Sequence, residues 1–237
     1  LLAGIIFSVV SFARGVLFLL ANYPEMLWAF FFGLILASSW LVVQEIDRWR
    51  MNVASSFVIG TVLAYMVTSI SPAAVEPTPL MIFFSGMIAI CAMILPGISG
   101  SFILLLLGMY APILAAVKAV DLNTLGLFIV GCVIGLLSFS RVLNWMFTSY
   151  RTTTLALLGG FMLGSLNKVW PWKYTSAYTI NRHGEEVPLV QENILPASYE
   201  AMTGQDAYLA MSLVLMAAGA ALVVLLARTA GASSQQE

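Results

Sequence analysis

The residues with the clearest chemical potential form one short polar break, Leu95-Pro96-Gly97-Ile98-Ser99-Gly100-Ser101, set between the apolar segments Leu80 to Ile94 and Phe102 to Val117. Pro96 removes a backbone donor and disfavours helix at Leu95. Gly97 and Gly100 admit backbone angles that other residues resist. One helix therefore ends here and another begins, with Ser99 or Ser101 as its N-cap. The N–H groups at such a start form a ready anion site, and a small polar break between apolar segments suggests a substrate site inside a transporter-like protein. The competing structural reading is that small residues merely let two helices pack closely.

Two arginines could neutralise that anion. Arg14 and Arg141 both lie within apolar segments, where an arginine is costly and marks a functional site by default. Their planar guanidinium forks suit a multi-oxygen anion better than lysine would. Both also sit within two turns of a span end, so snorkelling to the interface is the alternative. Tyr110 is either a head-group contact or an interfacial anchor. Ser38 and Ser165, with Gly33 and Gly160, read first as packing contacts and second as ligands. Glu25, Asp47, Glu76 and Asp121 fall in loops and read as solvated. The sequence offers no catalytic residue and implies no cofactor. Cys91 and Cys132 lie in apolar segments and read as small buried hydrophobes, with no metal spacing and no disulfide framework. The sole histidine, His183, lies in a polar loop, so it supplies no buried relay.

The elements that must position these residues are membrane helices. Of 237 residues, 61% are hydrophobic and only 9% charged, where a soluble domain carries about 25% charged residues. Mean hydropathy is +0.97. The chain reads as an all-α, multi-pass membrane protein. Its basic residues are scattered, so a nucleic-acid groove is excluded. Expected spans are Leu1–Leu20, Met26–Val43, Asn52–Ile70, Leu125–Phe147, Thr152–Leu166 and Ala207–Ala227. The polar break turns Leu80–Val117 into a hairpin whose first arm is shorter than the roughly 20 residues a crossing needs. A re-entrant hairpin follows, returning to the side it left. Asn167 to Asp206 is a long polar excursion. Within it Thr179–Val190 is a β-hairpin or an irregular loop, and the aromatics of Trp170-Pro171-Trp172-Lys173-Tyr174 read as an interfacial belt. The tail from Arg228 to Glu237 reads as disordered. The chain begins at Leu1 inside an apolar run, and no signal peptide is visible; the natural N-terminus is expected to lie before it.

Orientation follows from the charges. Arg48, Arg50, Arg151 and Arg228 fall on one side in short loops or the tail, which assigns that side, and the C-terminus, to the cytoplasm and the excursion to the exterior. The sequence also repeats. A shift of 127 positions aligns Gly4 with Gly131, Ser11 with Ser138, Arg14 with Arg141, Tyr23 with Tyr150, Gly33 with Gly160 and Ser38 with Ser165, without a gap. The aligned spans cross the membrane in opposite senses. That is an inverted repeat, repeat 1 at about 1–79 and repeat 2 at about 80–228, within one transmembrane domain covering 1–237. Secondary transporters use this plan, with the site near the bilayer midplane. The repeat partner of Pro96–Ser101 is expected about 30 residues before Leu1.

Pro-Gly-Ile-Ser-Gly-Ser-Phe-Ile-Leu-Leu-Leu-Leu-Gly-Met-Tyr, Pro96 to Tyr110, resembles the signature of the PopT-type polyprenyl-phosphate transporters. The helices around Gly33–Ser38 and Gly160–Ser165, and Leu195-Pro196-Ala197-Ser198-Tyr199, resemble the same family. The resemblance covers most of the chain. It implies a transporter that returns undecaprenyl phosphate, the lipid carrier of bacterial envelope synthesis, to the inner leaflet of the cytoplasmic membrane. The phosphate would rest at Pro96–Ser101 against Arg14 and Arg141, with the prenyl tail in lipid. The family's second Pro-Gly-Ser-Gly motif is absent from this sequence. Two rivals remain. Undecaprenyl-pyrophosphate phosphatases have similar turns, but place an arginine where this chain has Gly100 and use membrane glutamates. An ion or small-solute transporter would need no lipid substrate.

Overall fold

A computed structural model describes residues 15–16, 18–20, 22–70, 76–180 and 186–233. Arg14, His183 and most of the expected first span lie outside the described residues. The chain divides into two compact units, Val42–Ser165 and Leu1–Leu41 with Leu166–Glu237.

The helices are α1 (Pro24–Gln44), α2 (Met51–Ser69), α3 (Pro79–Ile94), α4 (Gly100–Leu106), α5 (Tyr110–Ala119), α6 (Leu122–Ser149), α7 (Arg151–Ser165), α8 (Pro196–Thr203) and α9 (Leu209–Ser233). Among the described residues α1, α2, α6 and α9 are long and apolar enough to cross a membrane. Helix is the form in which such segments satisfy every backbone group internally, which lipid demands. Together they make the chain an all-α, multi-pass membrane protein.

Val42–Ser165 is built from two parallel helix pairs. In the first, α2 lies against α7. A Cβ added at Gly60 would overlap the Leu157 carbonyl, and one at Gly160 or Gly164 the carbonyls of Phe57 or Thr61. Glycine is what lets these backbones touch. In the second pair, α3 lies against α6 through Gly86, Gly131 and Gly135 in the same manner. The cysteines join this seam: the Cys132 thiol donates to the Gly86 carbonyl (3.4 Å) and the Cys91 thiol to the Gly135 carbonyl (3.6 Å).

The stretch read as one arm, Phe102–Val117, is instead two helices. α4 and α5 meet at 109°. Gly108 at the break takes a φ of +69°, a left-handed angle that glycine tolerates. Pro112, one turn into α5, has no N–H to bond the Gly108 carbonyl, so a straight helix cannot continue across the corner. Met109, fully buried, packs there against Ile82 and Ile113. Asp121 then starts α6, its carboxylate accepting from the Asn123 N–H (3.1 Å) and the Thr124 hydroxyl (2.7 Å).

The other unit holds most of α1, all of α9 and the polar excursion. Gly33 abuts the backbone of Met216, and Gly219 abuts the Phe30 carbonyl. The excursion does form a β-hairpin, longer than the sequence marked: β1 (Lys173–Ile180) pairs antiparallel with β2 (Glu186–Asn193), Lys173 opposite Asn193. Its aromatics are not the interfacial belt expected of them. Trp172 is 3% exposed and clusters with Tyr199 and Ala207. The Trp172 indole donates to the Ala207 carbonyl (2.8 Å) and that of Trp170 to the Ile194 carbonyl (2.9 Å). An indole so satisfied can leave the interface and form a core.

Candidate functional site

The polar break is a sharp corner between α3 and α4. Leu95 is extended, its N–H donating back to the Ala92 carbonyl (3.1 Å). Gly97 follows with φ +94°. Its missing side chain makes room for the Ser165 hydroxyl at the end of α7, which a Cβ would overlap. Ser99 caps α4, accepting from the Phe102 N–H (3.2 Å). The Ser99 and Ser101 hydroxyls lie 3.3 Å apart. Ser99, Ser101 and Gly97 are exposed, while Pro96 and Gly100 are half-buried. The N–H groups of Gly100 and Ser101 stand at the open end of α4. A Cβ on Gly100 would come within 2.9 Å of the Ala89 carbonyl on α3. Below the corner, Ala92, Ile103 and Leu106 form a small core with Val67 and Ile98.

Of the residues singled out from the sequence, Pro96, Gly97, Ser99, Gly100, Ser101 and Ser165 come together here. Arg141 is on α6, and the parallel register of α3 with α6 (Phe83 beside Gly131, Met87 beside Gly135) carries on to set Arg141 level with the end of α3. Its side chain is exposed. Tyr110, 41% exposed, stands past the α4–α5 corner, a helix length from Ser99. Ser165 is buried and donates to the Met162 carbonyl (2.7 Å), and Ser38, in the other unit, donates likewise to Leu34 (2.8 Å). Among the described residues no group of three or more His, Cys, Asp or Glu side chains is placed to hold a metal ion.

Depth follows from helix length. α3 has 16 residues and α7 has 15, so at about 1.5 Å per residue each extends on the order of 20–25 Å. Both end at this corner, having started from opposite ends of the unit. The corner is therefore some 20 Å from either start, in a chain whose bilayer core is about 30 Å thick.

Sequence reasoning missed two clusters. Glu25 is not solvated: it is 3% exposed, and the buried Tyr199 hydroxyl donates to it. Burial and the neighbouring carboxylate both raise the Tyr199 pKa, burial the more. Pro24-Glu25 signals a helix start, but nothing local points to a partner 174 positions away. Nearby, the Lys173 ammonium lies 4.1 Å from the centre of the Trp28 ring and donates to the Lys168 carbonyl (2.7 Å). Burial, then the Lys168 charge, lowers its pKa to about 7. The second cluster is an arginine-lined groove at the start of α2 and α7, whose arginines the sequence reading used only to assign orientation.

Comparison with known proteins adds the following. A family described as undecaprenyl phosphate translocase-like matches residues 1–187. A polyprenyl-phosphate transporter of Vibrio cholerae serotype O1 is 48% identical over 224 residues, covering 94% of this chain and 73% of that protein. A polyprenyl-phosphate transporter of Staphylococcus aureus is 39% identical over 95 residues, 38% of this chain and 34% of that protein. No solved structure matches the chain.

Proposed function

This chain belongs to the undecaprenyl phosphate translocase-like family, and from that premise we propose that it moves undecaprenyl phosphate between the leaflets of the bacterial cytoplasmic membrane without cleaving it. The observation that carries the reading is the corner at Pro96–Ser101, where two helices from opposite ends of one unit stop and a third begins. The phosphate oxygens accept from the Ser99 and Ser101 hydroxyls and from the Gly100 and Ser101 N–H groups. Arg141, level with the corner, balances the charge, and its fork suits a phosphate monoester. The prenyl tail stays in lipid. Arg14, its repeat equivalent, is assigned the same role by the sequence offset alone.

Two features favour transport over hydrolysis. The related phosphatases carry an arginine at the position of Gly100, and here the Ala89 carbonyl occupies the space a side chain would need. The groups at the corner bind and orient; none is a nucleophile held by a base. The inverted repeat is supported by a contact that recurs in both units. Gly33 and Phe30 meet α9 as Gly160 and Leu157 meet α2, and both pairs differ by the offset found in the sequence. The short arginine-bearing loops favour a cytoplasmic C-terminus and an external excursion.

The test uses purified protein in proteoliposomes and native mass spectrometry with isoprenoid phosphates, the matching alcohols serving as controls. Wild type is expected to retain the phosphates and not the alcohols, to equilibrate undecaprenyl phosphate between leaflets, and to release no inorganic phosphate. Arg141→Ala is expected to weaken retention about tenfold, the scale of one charged hydrogen bond, with little change in melting temperature. Phosphate release, or unchanged retention by the Arg141→Ala and Ser99→Ala/Ser101→Ala variants, overturns the reading.

A further inference from the structure

At the far end of α7 from the corner lies a cavity of about 390 Å³. Its walls come from two places: the α1–α2 connection with Asp47, Arg48 and Arg50, running into Asn52 of α2, and the start of α7 with Arg151 and Thr152. All belong to Val42–Ser165. The parallel packing of α2 on α7 sets both helix starts side by side, so two positive dipole ends face one space. Arg50 occupies the N-cap of α2 in an extended conformation, with no side chain bonded to the first N–H groups.

The charges point the same way. Arg48 and Arg50 make no ion pair among the described residues. Arg151 meets Glu45 at 3.7 Å, with both side chains more than half exposed (73% and 59%). Such a loose surface pair contributes little and leaves the guanidinium available. Asp47 is the one carboxylate on the wall. Tyr150 lines the groove, Trp145 packs edge-on against Tyr150 (5.6 Å between ring centres), and Trp49 stands between Arg48 and Arg50 in the chain; all three are exposed, the composition of a membrane–water boundary. Three guanidiniums, two adjacent helix starts and an aromatic flank at that boundary together form a receptor for a phosphate group held at the height of lipid head groups.

We propose that this groove is a second phosphate site, taking the phosphate monoester of a membrane lipid, or free inorganic phosphate, at the end of the α2–α7 pair opposite the Pro96–Ser101 corner. The groove binds phosphate by its own chemistry. Its use as the surface station for a lipid travelling to and from the corner rests on the transport reading above. The helix pair then carries two anion sites roughly 20 Å apart along α7.

The experiment compares the whole protein in nanodiscs of phosphatidylcholine with and without phosphatidic acid. Retained lipid is read by native mass spectrometry, and groove occupancy by the fluorescence of Trp49 and Trp145. Wild type is expected to retain phosphatidic acid selectively. Arg48→Gln/Arg50→Gln is expected to lose about tenfold in that retention, given the strength of charged hydrogen bonds. Asp47→Asn, which removes the opposing charge, is expected to raise it about threefold; a gain cannot come from misfolding. Lys118→Gln, an exposed cation in the last turn of α5 and outside both sites, is expected to leave it unchanged. Displacement by millimolar inorganic phosphate assigns the site to the free anion as well as the lipid; resistance to it assigns the lipid alone, and either supports the proposal. Equal retention of both lipids, or of phosphatidic acid by wild type and the double arginine variant, overturns it. Phosphatidic acid held through the arginines by a protein that does not move undecaprenyl phosphate would sink the transport reading and leave the groove standing.

Discussion

Tyr199 and Glu25 show how one buried pair can fasten a polar excursion to a membrane helix. Glu25 sits in the first turn of α1, where a carboxylate is favoured by the helix dipole, and Tyr199 supplies the hydroxyl that makes its burial tolerable. Removing that hydroxyl leaves a buried carboxylate short of a donor. Tyr199→Phe is therefore expected to destabilise the protein by about 1–3 kcal/mol, seen as a lower midpoint of thermal unfolding in detergent followed by tryptophan fluorescence; an unchanged midpoint would mean that the pair holds nothing. Gly97 matters for a different reason. Its φ of +94° is strained for any L side chain, and the Ser165 hydroxyl fills the place of a Cβ. Gly97 was legible in the sequence as a turn residue after proline. Its contact with Ser165 was not, because a glycine's neighbours leave no trace in its own flanking residues.

At the scale of elements, glycine decides which helices touch. α2 meets α7 and α3 meets α6 through backbone contacts that any side chain would prevent. Alanine at Gly160 or Gly33 is expected to push the partner helices apart and cost about 1–3 kcal/mol. Alanine at Gly126, with nothing within 4 Å of its Cβ, is expected to be neutral or slightly stabilising, since alanine is the better helix former. Thermal unfolding of the three variants in one detergent checks the contrast; equal loss in all three would refute it. Helix existence was readable from apolar length. The corner between α4 and α5 was not read, although Gly108 and Pro112 were its signal, because the apolar run from Phe102 to Val117 outweighed them. The hairpin aromatics misled for the opposite reason: Trp beside polar residues has the composition of an interface, and only the carbonyls of Ala207 and Ile194 turn it into a core.

For the molecule as a whole, the short-loop arginines set which loops face the cytoplasm. With Cys91 and Cys132 replaced by serine, a cysteine at Ser176 in the excursion is expected to react with a membrane-impermeant maleimide added outside intact cells, and one at Gln44 only after the cells are opened. The reverse pattern would invert the topology. Composition and apolar run length fixed the class of this protein, because lipid leaves helix as the only way to pair the backbone of such segments. The proline, glycines and serines of the break located the corner, because their backbone limits act within a few residues. Tertiary structure alone decided what surrounds it, with Ser165 behind Gly97 and Arg141 at its level; elsewhere it also decided that Tyr199 meets Glu25 and that three arginines line one groove. Those pairings join residues far apart in the chain, and they arise from the register of packed helices, which no local preference encodes.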